Sequence, residues 1–108
     1  MKVRLLIFDE DFIKENPNII ESLTSLKEPI PMKIHERIID YYPNFNKERS
    51  LLFGDDKIFM DIVREERFNA RKLEPIESRE YHNTLALQFI NNHPEFAPIL
   101  KEVRYIDV

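Results

Sequence analysis

Residues 2–11 read KVRLLIFDED and place an apolar strand early in the sequence. The first seven of these residues are mostly β-branched, aromatic or otherwise apolar, which favours an extended strand over Lys2–Phe8. Three acids, Asp9, Glu10 and Asp11, end the apolar run. We therefore expect a strand that is followed by a solvated acidic turn, and we expect these acids to form an acidic surface.

A second strand is predicted over residues 102–108, EVRYIDV. Alternate side chains lie on opposite faces of a strand, with Val103, Tyr105 and Asp107 on one face and Arg104, Ile106 and Val108 on the other. Two strands that flank the rest of the chain are expected to pair with each other. Because a two-stranded ribbon is marginally stable alone, helices must cover one of its faces.

Four to five helices are predicted between the two strands. One begins at Asn16-Pro17, and another carries the apolar stripe that ends with Tyr41, Tyr42 and then Pro43. A helix from Ser78 to about Asn92 is apolar around most of its circumference and is expected to be the most buried. The sequence thus predicts a mostly helical α+β fold, one small domain over residues 1–108, with paired terminal strands.

Residues 50–63 allow two interpretations. In the first, a helix over residues 46–53 ends at Gly54, and a second helix begins at Asp55 or Asp56 and continues to about Lys72. In the second, two short strands form a hairpin around Gly54 and Asp55. We favour the helices because the apolar residues after position 57 do not alternate.

Composition excludes several classes of site. With one glycine and no cysteine, the chain lacks glycine-rich phosphate loops, thiol nucleophiles and thiolate metal sites. The net charge of −4, from 16 basic and 20 acidic residues, disfavours a nucleic-acid binder. The histidines lack metal-ligand spacing, and no apolar run reaches the ~20 residues of a membrane helix. We expect a cytoplasmic protein with no cofactor, metal or membrane partner.

The apolar strand followed by Asp9-Glu10-Asp11 resembles the opening motif of haloacid-dehalogenase-type phosphatases. That resemblance implies Asp9 as the phosphoryl-accepting nucleophile and Asp11 as the general acid, both near Mg²⁺. The family places a small residue after the second aspartate, where this chain has Phe12. It also needs a long alternating α/β domain, so we keep the phosphatase as a remote alternative and expect no catalytic residues.

A group of aromatic and basic residues marks the predicted helix that ends near Lys72. On a helical wheel Phe68 lies opposite the apolar face, and the basic residues around it are Arg64, Arg67 and Arg71. Aromatic residues and arginine are enriched at the energetic centres of protein interfaces. Three other interpretations remain open: Phe68 packs under another segment, the helix breaks near residues 65–66, or the arginines are simply solvated.

A second aromatic group, which includes Tyr41 and Tyr42, ends another predicted helix and is a further candidate for partner binding. Together these features predict a non-catalytic protein-binding module, of the inhibitor, immunity or antitoxin type. Its acidic balance suggests a basic partner such as a nuclease toxin. The alternative is a self-associating adaptor or a subunit of a larger complex, which makes a homo-oligomer possible.

Overall fold

The structure is a computed structural model and describes residues 1–26, 28–53 and 56–108, with side chains described outside residues 50–63. The described chain begins with strand β1 (Lys2–Phe8) and closes with strand β2 (Leu100–Asp107). Between them lie α1 (Glu10–Glu15), α2 (Asn18–Ser25), α3 (Met32–Ile39), α4 (Phe45–Phe53), α5 (Asp56–Arg71), α6 (Pro75–Asn92) and a 310 helix (Pro94–Ile99).

The two strands form an antiparallel sheet in which Lys2 lies opposite Asp107 and Leu6 lies opposite Val103. The register shifts near the end of β1, where Lys101 is an extra residue in β2. The predicted α+β fold with paired terminal strands is therefore confirmed. The described residues contain six α-helices and the 310 helix, which is more than the four to five helices predicted.

Helix α1 is the main difference from the predicted elements. The strand ends at Phe8 as expected, but the acids begin a helix rather than form a turn. The Asp9 carboxylate accepts a hydrogen bond of 3.0 Å from the Phe12 backbone N–H, and Glu10 and Asp11 occupy the first turn. Aspartate is a preferred N-cap, and acids near a helix N-terminus interact favourably with the helix dipole. These local effects stabilise a helix that is only six residues long.

Helix α6 is the longest described helix and contacts α3, α5, β1 and the 310 helix. It begins at Pro75 rather than at the predicted Ser78. Proline suits the first turn of a helix, because its missing N–H would have no partner there and its φ is already helical. Ala86, Phe89 and Ile90 are buried, which fits the central position expected for this helix.

The main core cluster lies between the helices and the face of β1 that carries Leu6 and Phe8, and Val3 is buried on the other face of the strand. Leu6 and Phe8 contribute from β1, and the 310 helix adds Phe96 and Ile99. The remaining buried apolar residues of this cluster come from the α-helices: Ile13, Ile19, Ile20, Leu23, Ile34, Ile38, Phe45, Ala86, Phe89 and Ile90.

Residues 50–53 and 56–63 are helical, so the hairpin interpretation of this region is wrong. Asp56, one of the two predicted helix starts, is the first residue of α5. The predicted cap at Gly54, the alternative start at Asp55 and the predicted inner side chains of α5 before residue 64 lie outside the described residues.

Arg49 on α4 is fully buried and fixes the end of α2. Its guanidinium donates hydrogen bonds to the backbone oxygens of Leu23 (2.7 Å), Leu26 (2.6 Å) and Glu28. Carbonyl groups at a helix C-terminus have no partner within the helix, and a cation there also interacts favourably with the dipole. Burial lowers the pKa of Arg49, while the nearby Glu28 carboxylate acts in the opposite direction.

Side chains from α6 bond to the backbone of Arg4 on the edge of β1 that faces away from β2. The Arg4 backbone N–H donates to Glu80 Oε1 at 2.9 Å, and Asn83 Nδ2 donates to the Arg4 carbonyl at 2.8 Å. The Arg4 guanidinium also donates to Glu80 Oε2 at 2.9 Å and to Thr84 at 2.6 Å. Helix α6 thus supplies, at Arg4, the two backbone hydrogen bonds that a third strand would make there.

The fully buried Asn83 gives a direct test of this edge contact. We expect Asn83→Ala to lower the free energy of unfolding by about 1–3 kcal/mol, because the Arg4 carbonyl then loses its buried donor. Urea denaturation measures the change. Gln88→Ala, at an exposed position on the same helix, is the control and should stay close to the parent. Equal stability of the two variants would contradict the role of Asn83.

The same contact predicts a pH dependence. Burial acts to raise the pKa of Glu80, but hydrogen bonds from Arg4 and Asn83 outweigh it, so the pKa lies below its usual value of 4.5. A carboxyl group with a depressed pKa stabilises the fold above its unfolded pKa, and this contribution disappears as the pH falls through the folded pKa. Stability should therefore decrease below about pH 4.5, and Glu80→Gln should show a shallower decrease in urea denaturation at pH 3–5.

Candidate protein-binding surface

One carboxylate fixes the orientation of α5. Glu66 Oε1 accepts a hydrogen bond from the Met32 backbone N–H at 3.0 Å, at the start of α3, and lies 3.2 Å from His82 Nδ1 on α6. Glu66 thus faces the other helices. At about 100° per residue, Phe68 lies on nearly the opposite side of α5, which directs it away from the core.

Phe68 is the exposed aromatic residue that the helical wheel predicted. Its side chain is 59% exposed, and Lys72 Nζ lies 4.2 Å from the centre of its ring. A cation over an aromatic face is attracted by the ring's electron density. This contact holds Lys72 against one side of the ring, and the helix continues through residues 65–66 without a break.

Phe68 is exposed on α5 beside three arginines, and Lys72 follows the last residue of the helix. We call these five residues the α5 surface: Arg64, Arg67, Phe68, Arg71 and Lys72. Glu65 is exposed among them, whereas Glu66 is engaged with α3 and α6. Positive charge therefore predominates around an exposed apolar ring. Such a surface suits carboxylates that surround an apolar group, because guanidinium and ammonium groups pair with them.

Tyr41 and Tyr42, the second candidates for partner binding, lie against α1 and pack beside the core. The Tyr42 hydroxyl donates to the carbonyls of Ile13 (2.8 Å) and Lys14 (3.3 Å). Lys14 Nζ lies 5.0 Å from the centre of the Tyr41 ring. Burial, with a contribution from the Glu10 carboxylate, raises the pKa of Tyr41. These contacts give both tyrosines a role in joining α1 to the end of α3.

The three acidic residues that resemble the phosphatase motif, Asp9, Glu10 and Asp11, lie where β1 ends and α1 begins. Asp9 is partly buried and caps α1, whereas Glu10 and Asp11 are exposed. In the described residues β1 pairs only with the antiparallel β2, so the alternating α/β surroundings implied by the resemblance are not seen there. Glu10 and Asp11 form the exposed part of the predicted acidic surface.

A cleft of about 290 Å³ lies between α3 and α6. Its polar lining includes Lys33, Ser78, Arg79 and His82, with Glu36 as the acid. Burial lowers the pKa of Lys33, and the neighbouring Arg79 and Arg37 lower it further. Sequence patterns did not predict this cleft, because its residues come together only when α3 packs on α6.

The described residues contain no group of three or more His, Asp or Glu side chains placed to hold a metal ion. His82 contacts Glu66, and His93 contacts Glu28 and also lies 3.6 Å from Glu95. Of the helices described in the structure, none is both long and apolar enough to span a membrane.

Comparisons with protein-family models, curated proteins and solved structures find no match to this chain. Its own residues and contacts are therefore the basis for proposing a function.

The cleft between α3 and α6 yields a titration test. We expect the Lys33 ammonium to titrate below 10.5, because burial and the positive charge of Arg79 both disfavour its protonated form. Replacing the arginine, in Arg79→Gln, should move the titration of Lys33 to higher pH. NMR observation of the lysine Cε resonances measures both values. The same midpoint in the parent and in Arg79→Gln would show that Arg79 does not act on Lys33.

Proposed function

We propose that this chain is a non-catalytic protein-binding protein that contacts its partner through the α5 surface. The observation that supports this proposal is the exposure of Phe68 within a group of basic side chains. Phe68 is 59% exposed, although burying an aromatic side chain is strongly favourable. A partner that covers the ring supplies that burial.

The composition of the α5 surface fits the centre of an interface. Aromatic residues and arginine contribute most often to binding energy when a partner excludes water from them. Phe68 supplies the apolar area, and Arg64 and Arg71 lie on the same side of the helix. The contacts of Glu66 with Met32 and His82 already hold α5 in place, so binding need not order the helix.

The charge of the α5 surface determines the chemistry of the partner. Basic groups around Phe68 favour a partner that presents carboxylates around an apolar pocket. The net charge of −4 instead favours a basic protein, such as the nuclease toxin of the immunity or antitoxin hypothesis. The net charge affects how a partner approaches from a distance, whereas the groups at the interface determine what it can contact. A basic partner would therefore dock on the acidic Glu10 and Asp11 rather than on the basic α5 surface.

Nucleic acid is less well matched to the α5 surface than a protein. Glu65, Glu74 and Glu77 are exposed along the same stretch of chain as the basic residues. A continuous row of phosphates would meet these carboxylates as well as the arginines, which weakens the electrostatic attraction on which nonspecific binding depends.

Binding variants test the proposal. The tagged chain is used to isolate a stoichiometric partner from native lysate, and the dissociation constant of the purified pair is then measured by calorimetry. We expect Phe68→Ala and Arg71→Glu each to weaken binding by about tenfold to a hundredfold or more, as at interface centres. Phe68→Leu should retain more affinity than Phe68→Ala, because leucine keeps part of the apolar area.

Two charge reversals serve as controls. Lys47→Glu changes an exposed cation on α4 and should leave the affinity close to the parent value. Asp11→Lys tests the acidic surface and should have little effect if the partner binds the α5 surface. Loss of binding in Asp11→Lys alone would move the contact to the acidic surface and support a basic partner. Full binding by both α5 variants would refute the proposed site.

A further inference from the structure

Strand β2 has a row of backbone groups that point away from β1. The Met1 amino group donates to the Val108 carbonyl at 3.3 Å, and the Val108 N–H donates to the Met1 carbonyl at 2.9 Å. Because this pair exchanges both hydrogen bonds, it shows which residues of the antiparallel ladder bond across the sheet and which point outward. The even-numbered residues from Glu102 to Val108 therefore bond to β1. The N–H and C=O groups of Val103, Tyr105 and Asp107 point to the opposite edge. Arg4, which lies opposite Tyr105, correspondingly turns its backbone groups toward α6.

The described residues leave this edge of β2 open. No hydrogen bond from them reaches the outward backbone groups of Val103, Tyr105 or Asp107. An open edge promotes pairing with another strand, and proteins commonly protect such edges with charged side chains, proline, a bulge or a covering segment. The charged residues of this strand segment, Glu102, Arg104 and Asp107, are of mixed sign, so they allow an antiparallel pairing in which no like charges are opposed. The residues from Glu102 to Asp107 contain no proline, and the register shift lies before them. In contrast, Glu80 and Asn83 on α6 bond to the outward backbone groups of Arg4 at the centre of the edge of β1.

Exposed apolar side chains lie on both faces at the same end of the sheet, Tyr105 on one face and Met1 and Val108 on the other. Tyr105 is 65% exposed, Val108 58% and Met1 70%. Among the described residues, the other large apolar side chains that are exposed are Phe68 and Ile76. Apolar area therefore lies beside unpaired backbone groups, as expected of a strand that pairs across an interface.

We propose that β2 pairs antiparallel with β2 of a second copy of this chain, with the twofold axis beside Tyr105. The two sheets then join into one four-stranded antiparallel sheet, which relieves the marginal stability of a two-stranded ribbon. This interface is separate from the α5 surface, and it does not depend on the proposed function.

Charge and hydrogen bonding select this register. With the axis at Tyr105, the two tyrosines face each other and Val103 faces Asp107, so about six hydrogen bonds form between the chains. Arg104 then lies opposite Ile106, and no like charges are directly opposed. Moving the axis to Arg104 would place two arginines against each other, which is destabilising. Moving it to Val103 would bring the irregular residue Lys101 into the pairing.

The first experiment measures self-association by sedimentation equilibrium over a range of protein concentrations. We expect the mass to rise from one toward two chains of 13.1 kDa each. Tyr105→Lys places like charges at the axis and should raise the dimer dissociation constant by at least about tenfold. Lys47→Glu, at an exposed position on α4, should not change it. A parent chain that stays monomeric up to 0.5–1 mM (roughly the limit for weak specific pairs) would overturn the proposal.

A cysteine experiment tests the register, because the natural chain has no cysteine. Residues that face each other in a hydrogen-bonded antiparallel pair have Cα atoms about 5.5 Å apart, which a disulfide can span. Tyr105→Cys should therefore form a disulfide-linked dimer faster under mild oxidation than Arg104→Cys or Lys47→Cys. Equal rates for the three variants would reject pairing at Tyr105. Faster linkage of Arg104→Cys would also reject it, in favour of an axis at Arg104.

The structural control is the stability of the monomer. Circular dichroism and urea denaturation are measured at protein concentrations below the dimer dissociation constant. Tyr105→Lys should then show the same fold and nearly the same urea midpoint as the parent, since Tyr105 is exposed. A dimer that persists in this folded variant would place the interface elsewhere and refute the proposal. Binding of a strand from a different protein by a monomeric parent chain would also refute the second copy as the occupant.

Discussion

The backbone N–H and C=O of Arg4 both point away from β2, and the rest of the fold depends on the partners that they find there. A sheet of two strands provides hydrogen bonds on one edge only. Glu80 and Asn83 on α6 supply the missing acceptor and donor for Arg4. An unpaired backbone group in the interior costs free energy comparable to a lost hydrogen bond, so α6 must lie along β1 in this alignment. The other helices pack around α6 and β1.

Other ends of secondary structure are joined in the same way, by a long polar side chain from a neighbouring helix. Arg49 on α4 donates to the carbonyls at the end of α2, and Glu66 on α5 accepts from the first N–H of α3. Each contact satisfies groups that a helix leaves unpaired at its ends. These contacts also fix the helices relative to one another, which a purely apolar core specifies less strictly because apolar contacts are not directional.

The contact with α6 makes the two edges of the sheet different. Glu80 and Asn83 bond to the outward backbone groups of Arg4 on β1, whereas none of the described residues bonds to the outward edge of β2. The α5 surface has a similar origin: Glu66 binds toward α3 and α6, and Phe68 consequently points outward. Each candidate interface therefore lies opposite a polar contact: the open edge of β2 lies across the sheet from the contact of Arg4 with α6, and Phe68 lies across α5 from the contact of Glu66. One surface presents side chains and the other presents backbone groups, so they suit different kinds of contact.

Local patterns in the sequence determined the two strands and most of the helices, and they favoured an outward Phe68 without excluding a buried one. Periodicity and capping depend on near neighbours, and a helical wheel needs no knowledge of distant contacts. The same local reasoning missed α1, although Asp9 is a preferred N-cap, because the acids were interpreted as a turn. Only the tertiary structure decided the contact of Arg4 with α6, the cleft beside Lys33 and the open edge of β2. These features join residues far apart in the chain, and their pairing depends on how whole elements pack.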